Sequence, residues 1–203
     1  MTIKTIVLTG APCAGKTKLL NAAVDYFREQ SIRFFTIQET ATELLSYGFS
    51  RDDPFSFQQA VFDYQLLKED FCLHSISKYM NSNTSDDSTY VLVLDRALAD
   101  GKAYLKNTLW QMLLNSRQTT ESQILQRYDA VIYLESCVAL DKGLYQKESN
   151  QFRSETNSEA FALEARTRLC YSDHKNLYFI PAKEDFEEKK LCFINALNEI
   201  LTT

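Results

Sequence analysis

At 203 residues, set against roughly 150 per domain, the chain reads as a single domain, 1–203, with no room for a multidomain machine. Hydrophobic residues at 45% and charged residues at 24% exclude a disordered chain and supply a core that needs no metal or disulfide staple. A net charge of −5 from 22 Lys+Arg and 27 Asp+Glu argues against a nucleic-acid or anionic-membrane surface, so any phosphate must be held by local groups.

Residues 3–9 are β-branched and almost continuously apolar, the pattern of a strand covered on both faces. Their apolar run, Ile6-Val7-Leu8, is far shorter than a signal-peptide core or the ~20 residues of a membrane span. A cytoplasmic protein without a membrane span is expected. Beyond Gly15, Leu19, Leu20, Ala23, Val24 and Phe27 recur at helical spacing, and 33–37 reads as a second strand. Residues 39–47 read as a helix ending at Gly48. Asp53-Pro54 then starts a long helix, with an N-cap and proline at the first position, whose apolar stripe is Phe57, Val61, Tyr64, Leu67, Phe71 and Leu73. A polar loop (81–89) leads to a third strand at 90–94, ending in Asp95-Arg96, and a helical stretch at 99–105. Residues 106–127, with Trp110, Met112, Leu113 and Leu114, read as helix plus insertion. A fourth strand at 130–134, a polar segment at 141–158 without periodicity, a helix at 159–171, a strand at 177–180 and a helix at 185–201 complete the chain. Strands alternating with helices predict an α/β fold around an open parallel sheet, with ligands beyond the carboxyl ends of the strands.

Five cysteines (Cys13, Cys72, Cys137, Cys170, Cys192) are an odd number with no Cys-x-x-Cys pair, so neither a disulfide framework nor a zinc site is expected. His74 and His174, the two histidines, have no third ligand at matched spacing, which argues against zinc catalysis and a serine triad.

Gly10-Ala11-Pro12-Cys13-Ala14-Gly15-Lys16-Thr17 fits G-x-x-x-x-G-K-[ST] between a buried strand and a helix, where the phosphate-loop mechanism requires it. A chance match in a chain this long is about a 1% event. Successive backbone N–H groups and the helix N-terminus would cradle phosphates. Residues 10–18, Lys18 included, are the predicted nucleotide-binding set. Lys16 would span the β and γ phosphates, and Thr17 would join the shell of Mg²⁺. Cys13 reads as a small filler rather than a redox sensor.

Asp95, ending the third strand, would hold Mg²⁺ through water or orient an acceptor hydroxyl. Glu39, at the corresponding end of the second strand, is placed to act as general base, or else simply to complement the following helix; the two carboxylates can exchange roles. Arg96 reads as a substrate anchor or a salt-bridge partner. Phosphoryl transfer needs cations that arrive as the site closes, which suits Arg153 and Arg166 in and after a lid at approximately 141–160. Arg168 is turned away from Arg166, and Arg127 reads as structural. Phe55, Phe57, Phe62, Tyr64 and Phe71 line either the core or an acceptor pocket, and Gln58 or Gln59 is positioned to read a base edge.

The Walker loop, Glu39-Thr40-Ala41-Thr42-Glu43, Asp53-Pro54 with Phe57-Gln58-Gln59, Asp95-Arg96-Ala97-Leu98-Ala99-Asp100 with Ala103-Tyr104, Arg127-Tyr128-Asp129, Phe152-Arg153-Ser154-Glu155, Glu164-Ala165-Arg166 and Tyr171 with His174 together resemble one group. It is the P-loop AAA-domain family that includes the nicotinamide riboside kinase domain and the nucleotide-binding domain of a TRP-channel trafficking protein. The resemblance implies a nucleoside and nucleotide kinase-like fold, a three-layer sandwich whose mostly parallel sheet runs 2-3-1-4-5, with a lid. It implies that Glu39 and Asp95-Arg96 are strand-end carboxylate and acidic-Arg motifs and that Arg153 is a lid arginine. ATP (or GTP) with Mg²⁺ is the expected ligand. The expected activity is phosphoryl transfer to a small hydroxyl acceptor, a nucleoside, nucleotide or related metabolite, with Lys16, Glu39, Asp95, Arg153 and Arg166 catalytic and Glu39, Gln58 and Arg96 binding the acceptor. The alternative is a nucleotide-switched NTPase acting on a protein or lipid partner; no Asn-Lys-x-Asp element supports guanine selection of the Ras type.

Overall fold

The computed structural model describes residues 3–11, 14–28, 30–83, 87–136 and 157–202, with the backbone alone over 157–161. Strands β1 (Ile3–Thr9), β2 (Ile32–Ile37), β3 (Thr89–Asp95), β4 (Ala130–Leu134) and β5 (Leu177–Ile180) form one sheet, every neighbouring pair parallel, in the order β2-β3-β1-β4-β5. This is the α/β arrangement and strand order expected.

Alternation along the central strands divides the core into two layers. Val7, Leu92, Leu94 and Val131 face one side and pack with Phe62, Trp110, Leu113 and Tyr171. Ile6, Leu8, Val91, Val93 and Ile132 face the other and pack with Leu19, Leu20, Phe27, Phe193 and Leu197. Burial of each such side chain contributes about 1.5–3 kcal/mol. The second layer is covered by α1 (Lys16–Phe27) and the last helix, Phe186–Thr202. The first is covered by the long helix Pro54–Ser82 and by the segments after β3 and β4.

Between β2 and β3 lie α2 (Thr40–Ser46) and α3 (Pro54–Ser82); Asp53 caps α3 by accepting the Phe55 N–H at 3.1 Å. Residues Leu98–Tyr104 form a 3-10 helix. The mixed region resolves into α4 (Asn107–Ser116) and α5 (Glu121–Leu125), the latter capped by Thr120. Helix α6 (Asn157–Leu169) begins inside the segment predicted to be irregular through 158, because its opening turn carries no apolar periodicity. The last helix is α7.

One expectation is corrected. The buried face of α3 carries Phe57, Gln58, Phe62, Gln65, Glu69, Ile76 and Met80, whereas Leu67 and Phe71 are 64% and 68% exposed. The expected apolar stripe therefore meets the core at Phe57 and Leu73 but not at Leu67 and Phe71. A satisfied polar cluster sits on the buried side: Glu69 accepts hydrogen bonds from Gln65 Nε2 at 2.9 Å, Arg127 Nε at 3.0 Å and the Tyr128 hydroxyl at 3.1 Å. Burial pushes the Glu69 carboxyl up, and these donors oppose it. Of the aromatics proposed for a pocket, Phe57 and Phe62 face inward, while Tyr64 packs against Tyr47 and Phe71 meets solvent.

Candidate functional site

The parallel register brings the carboxyl ends of β1, β2 and β3 level: Leu8 pairs with Asp95, Ile37 with Leu94, and Arg96 N–H donates to Leu8 O at 3.0 Å. The phosphate loop leaves β1 at Gly10, whose φ of 143° and close approach to the Leu134 carbonyl leave no space for a Cβ. Gly15 caps α1 in the left-handed region, φ 85°. The Lys16 ammonium donates to Gly10 O at 2.9 Å and Ala11 O at 3.2 Å. Burial, then repulsion from Arg96, lowers its pKa to about 8, against the attraction of Asp95, Glu39 and Asp100. Thr17 and Lys18 are exposed on the first turn of α1. Pro12, Cys13 and Arg153, with the predicted lid up to 156, lie outside the described residues.

Arg96 has φ 66°, a left-handed conformation that costs a residue with a Cβ about 1–2 kcal/mol. Its guanidinium is buried and joins two carboxylates, with Nε on Glu39 Oε1 at 2.7 Å and Nη1 on Asp100 Oδ1 at 3.0 Å. Burial would raise the Glu39 pKa, but Arg96, Lys16 and the Thr42 hydroxyl at 2.7 Å hold it down to about 2. Asp95 behaves oppositely: burial pushes it up to about 6 in spite of Lys16, and neighbouring Glu39 adds to the rise. Its Oδ1 is buried with no hydrogen-bond partner among the described residues.

Glu39, Arg96 and Asp100 line a cavity of about 470 Å³ between α2, α3 and the 3-10 helix. Phe57, Phe62, Tyr104 and Trp110 contribute aromatic lining, and Arg51 and Pro54 also line it. Gln58 is buried, lines the cavity and has no hydrogen-bond partner among the described residues, whereas Gln65 is committed to Thr40 and Glu69. A Cβ on Gly101 would press on Gln58 Oε1 at 3.2 Å and Trp110 at 3.3 Å, so the bare glycine makes room for both. The volume suits one small molecule.

Compared with known proteins, the sequence matches the model of a family described as AAA domain over residues 5–189. The chain belongs to the AAA domain family. No curated protein matches it. This AAA domain is a P-loop nucleotide-binding domain of the kinase and NTPase type, for which nucleotide and usually Mg²⁺ are the implied ligands. Its residues fit the cation: a buried carboxylate oxygen without a partner is costly unless a cation or water satisfies it, and Asp95 Oδ1 is such an atom at the strand end beside Lys16. No group of three or more His, Cys, Asp or Glu among the described residues makes an all-protein metal cage, so phosphate and water oxygens would complete the shell.

The AAA domain thus brings Lys16, Glu39, Asp95, Arg96 and Gln58 to one strand edge and cavity. It does not bring Arg166, Arg168 or Arg127 there. Arg166 is exposed on α6 and is not part of the cavity lining, and Arg168 lies over the Phe179 ring at 4.8 Å. Arg127 pairs with Glu69 and Asp70. Sequence reasoning missed two residues. Asp100 accepts four hydrogen bonds at the cavity wall, and buried Lys189 of α7 donates to Ala14 O at 2.9 Å and Glu135 O at 2.6 Å, tying the phosphate loop to β4. Lys189 follows Glu187-Glu188 and precedes Lys190, a charge run that looks like any solvated helix turn, so no sequence signal marked it.

Proposed function

We propose that this AAA domain is an ATP (or GTP)-dependent phosphotransferase acting on a hydroxyl of a small, ring-bearing acceptor such as a nucleoside. The cavity carries the reading: it combines aromatic lining with the Gln58 amide and the Glu39–Arg96 pair, and both members of that pair interact electrostatically with Lys16 of the phosphate loop. Such a space holds a planar ring together with a hydroxyl. Its ionic groups, Arg51 and Arg96 against Glu39 and Asp100, balance, which suits an uncharged acceptor better than a phosphorylated one.

In this reading the loop amides and Lys16 hold the donor phosphates, and Glu39 accepts a hydrogen bond from the acceptor hydroxyl. The acceptor O–P bond forms as the β,γ-bridging P–O bond breaks, and the hydroxyl proton leaves to a strand-end carboxylate. A loose transition state asks for little proton removal until late, so Glu39 acts by orientation despite its low basicity. Thr17 and Asp95 would hold Mg²⁺, which when bound neutralises charge on the phosphates. Gln58 would pair with a ring edge that offers a donor beside an acceptor.

The test is transfer of γ-label from ATP or GTP with Mg²⁺ to a panel of nucleosides. Glu39→Gln is expected to lower kcat by about 10²-fold with nucleotide affinity little changed, while Lys16→Ala weakens both. Wild-type transfer by Glu39→Gln overturns the role of Glu39. A second reading, a nucleotide-switched NTPase with a protein or lipid partner, is favoured by the exposed apolar residues Tyr47, just past α2, and Leu67 and Phe71 on α3. Label released only as phosphate, with no acceptor modified, selects it.

A further inference from the structure

Asp100 is buried on the 3-10 helix, and both its oxygens are fully subscribed. Oδ1 accepts from the Thr9 hydroxyl at 2.6 Å and Arg96 Nη1 at 3.0 Å, and Oδ2 from Ala97 N–H at 3.0 Å and the Tyr171 hydroxyl at 2.7 Å. A carboxylate offers about four acceptor sites, so these four donors leave none for a substrate or a proton in transit. Asp100 therefore borders the cavity without the means to act in it directly. Its partners are the last residue of β1, immediately before the phosphate loop; the arginine that grips Glu39; and a fully buried tyrosine just past α6.

We infer that Asp100 is a positioning residue: it fixes the Arg96 guanidinium against Glu39 and locks that pair to the root of the phosphate loop and to Tyr171. The inference rests on the phosphotransferase reading for its consequence, and on geometry alone for its cause. Arg96 holds a left-handed backbone, which persists only where its surroundings over-determine it. With Nε on Glu39 and Nη1 on Asp100, the guanidinium plane is set by two carboxylates on different elements. Loosening one anchor lets the plane turn and moves Glu39 away from the place where a hydroxyl must sit. Misplacement of this kind costs rate and acceptor affinity without touching the donor nucleotide.

Tyr171→Phe is the informative variant, because Tyr171 lines neither the cavity nor the phosphate loop and loses only the donor to Oδ2. Expected are an acceptor KM raised about tenfold with the affinity for a fluorescent ATP analogue unchanged, and a larger loss of transfer in Asp100→Asn. An activity-independent readout is the Arg96 Nε–Hε resonance, assigned with Arg96→Lys. It should be resolved and slow to exchange in the wild type, and shifted or broadened in Tyr171→Phe. An unshifted resonance, or an unchanged acceptor KM in an enzyme that does transfer phosphate, overturns the inference. If the wild type modifies no acceptor, the phosphotransferase reading fails and the resonance alone decides the positioning role. Should Asp100→Asn not fold, Tyr171→Phe carries the test.

Discussion

Lys16 shows how much a single side chain's environment decides. Enclosed by the loop and facing Arg96, it has a pKa near 8, so above that pH the loop holds a neutral amine. Bound phosphates would restore the proton, so nucleotide binding above pH 8 must take one up. Affinity is therefore expected to be flat below about pH 8 and to fall by up to tenfold per pH unit above it. Calorimetry at pH 9 in two buffers of different ionisation enthalpy should report uptake approaching one proton; equal affinity at pH 7 and 9.5 without uptake contradicts the assignment. The same shift acts on folding. Between about 8 and 10.5 the unfolded chain binds more protons than the folded one, so this lysine's cost is fully present below 8 and is relieved as pH rises. Glu39 runs the other way: its depressed pKa contributes stability above about 4.5 that is lost as pH falls toward 2.

Helix α3 illustrates an element whose rotation its own pattern misreports. Its apolar residues at helical spacing pointed to one face, but the Glu69 cluster with Gln65, Arg127 and Tyr128 is on the buried side and leaves Leu67 and Phe71 outside. Phe62 packs edge-on against Trp110 at 6.2 Å. Phe62→Ala should thus cost about 3–5 kcal/mol, whereas Phe71→Ser should change stability by no more than about 0.5 kcal/mol. Urea unfolding followed by the single tryptophan separates the two, and equal losses would mean that the helix is turned otherwise. A polar cluster of this kind is the choice an apolar count cannot anticipate, since burying Glu69 is favourable only with all its donors in place.

At the scale of the molecule, the phosphate loop is held between layers: Gly10 against the β4 carbonyl edge, Ala14 by Lys189 from α7, and Thr9, just before it, by Asp100 of the 3-10 helix. Nucleotide binding should therefore stabilise the whole fold rather than one loop. At ligand about 100-fold above Kd the gain is about 2.7 kcal/mol, which for a chain of this size raises Tm by about 5–10 °C. Differential scanning with Mg²⁺ and ATP or GTP measures it. Gly10→Ala, with a Cβ set against Leu134, should lower the ligand-free Tm and abolish the shift. A wild type whose Tm ignores every nucleotide would remove the basis of both functional readings.

The strand and helix alternation, the phosphate loop and the carboxylates at the strand ends were legible in sequence because each is local: a buried apolar run, a glycine spacing, a residue directly after a strand. The tertiary structure alone decided which face of α3 is inside, that Gln58 is buried in the cavity wall, and that Glu39 is held ionised while Asp95 is pushed toward neutrality. It alone joined Asp100 to Thr9, Arg96 and Tyr171, and Lys189 to the loop. Those properties depend on desolvation and on donors up to 175 positions away along the chain, and neither burial nor long-range pairing is written in the identity of a residue or its neighbours.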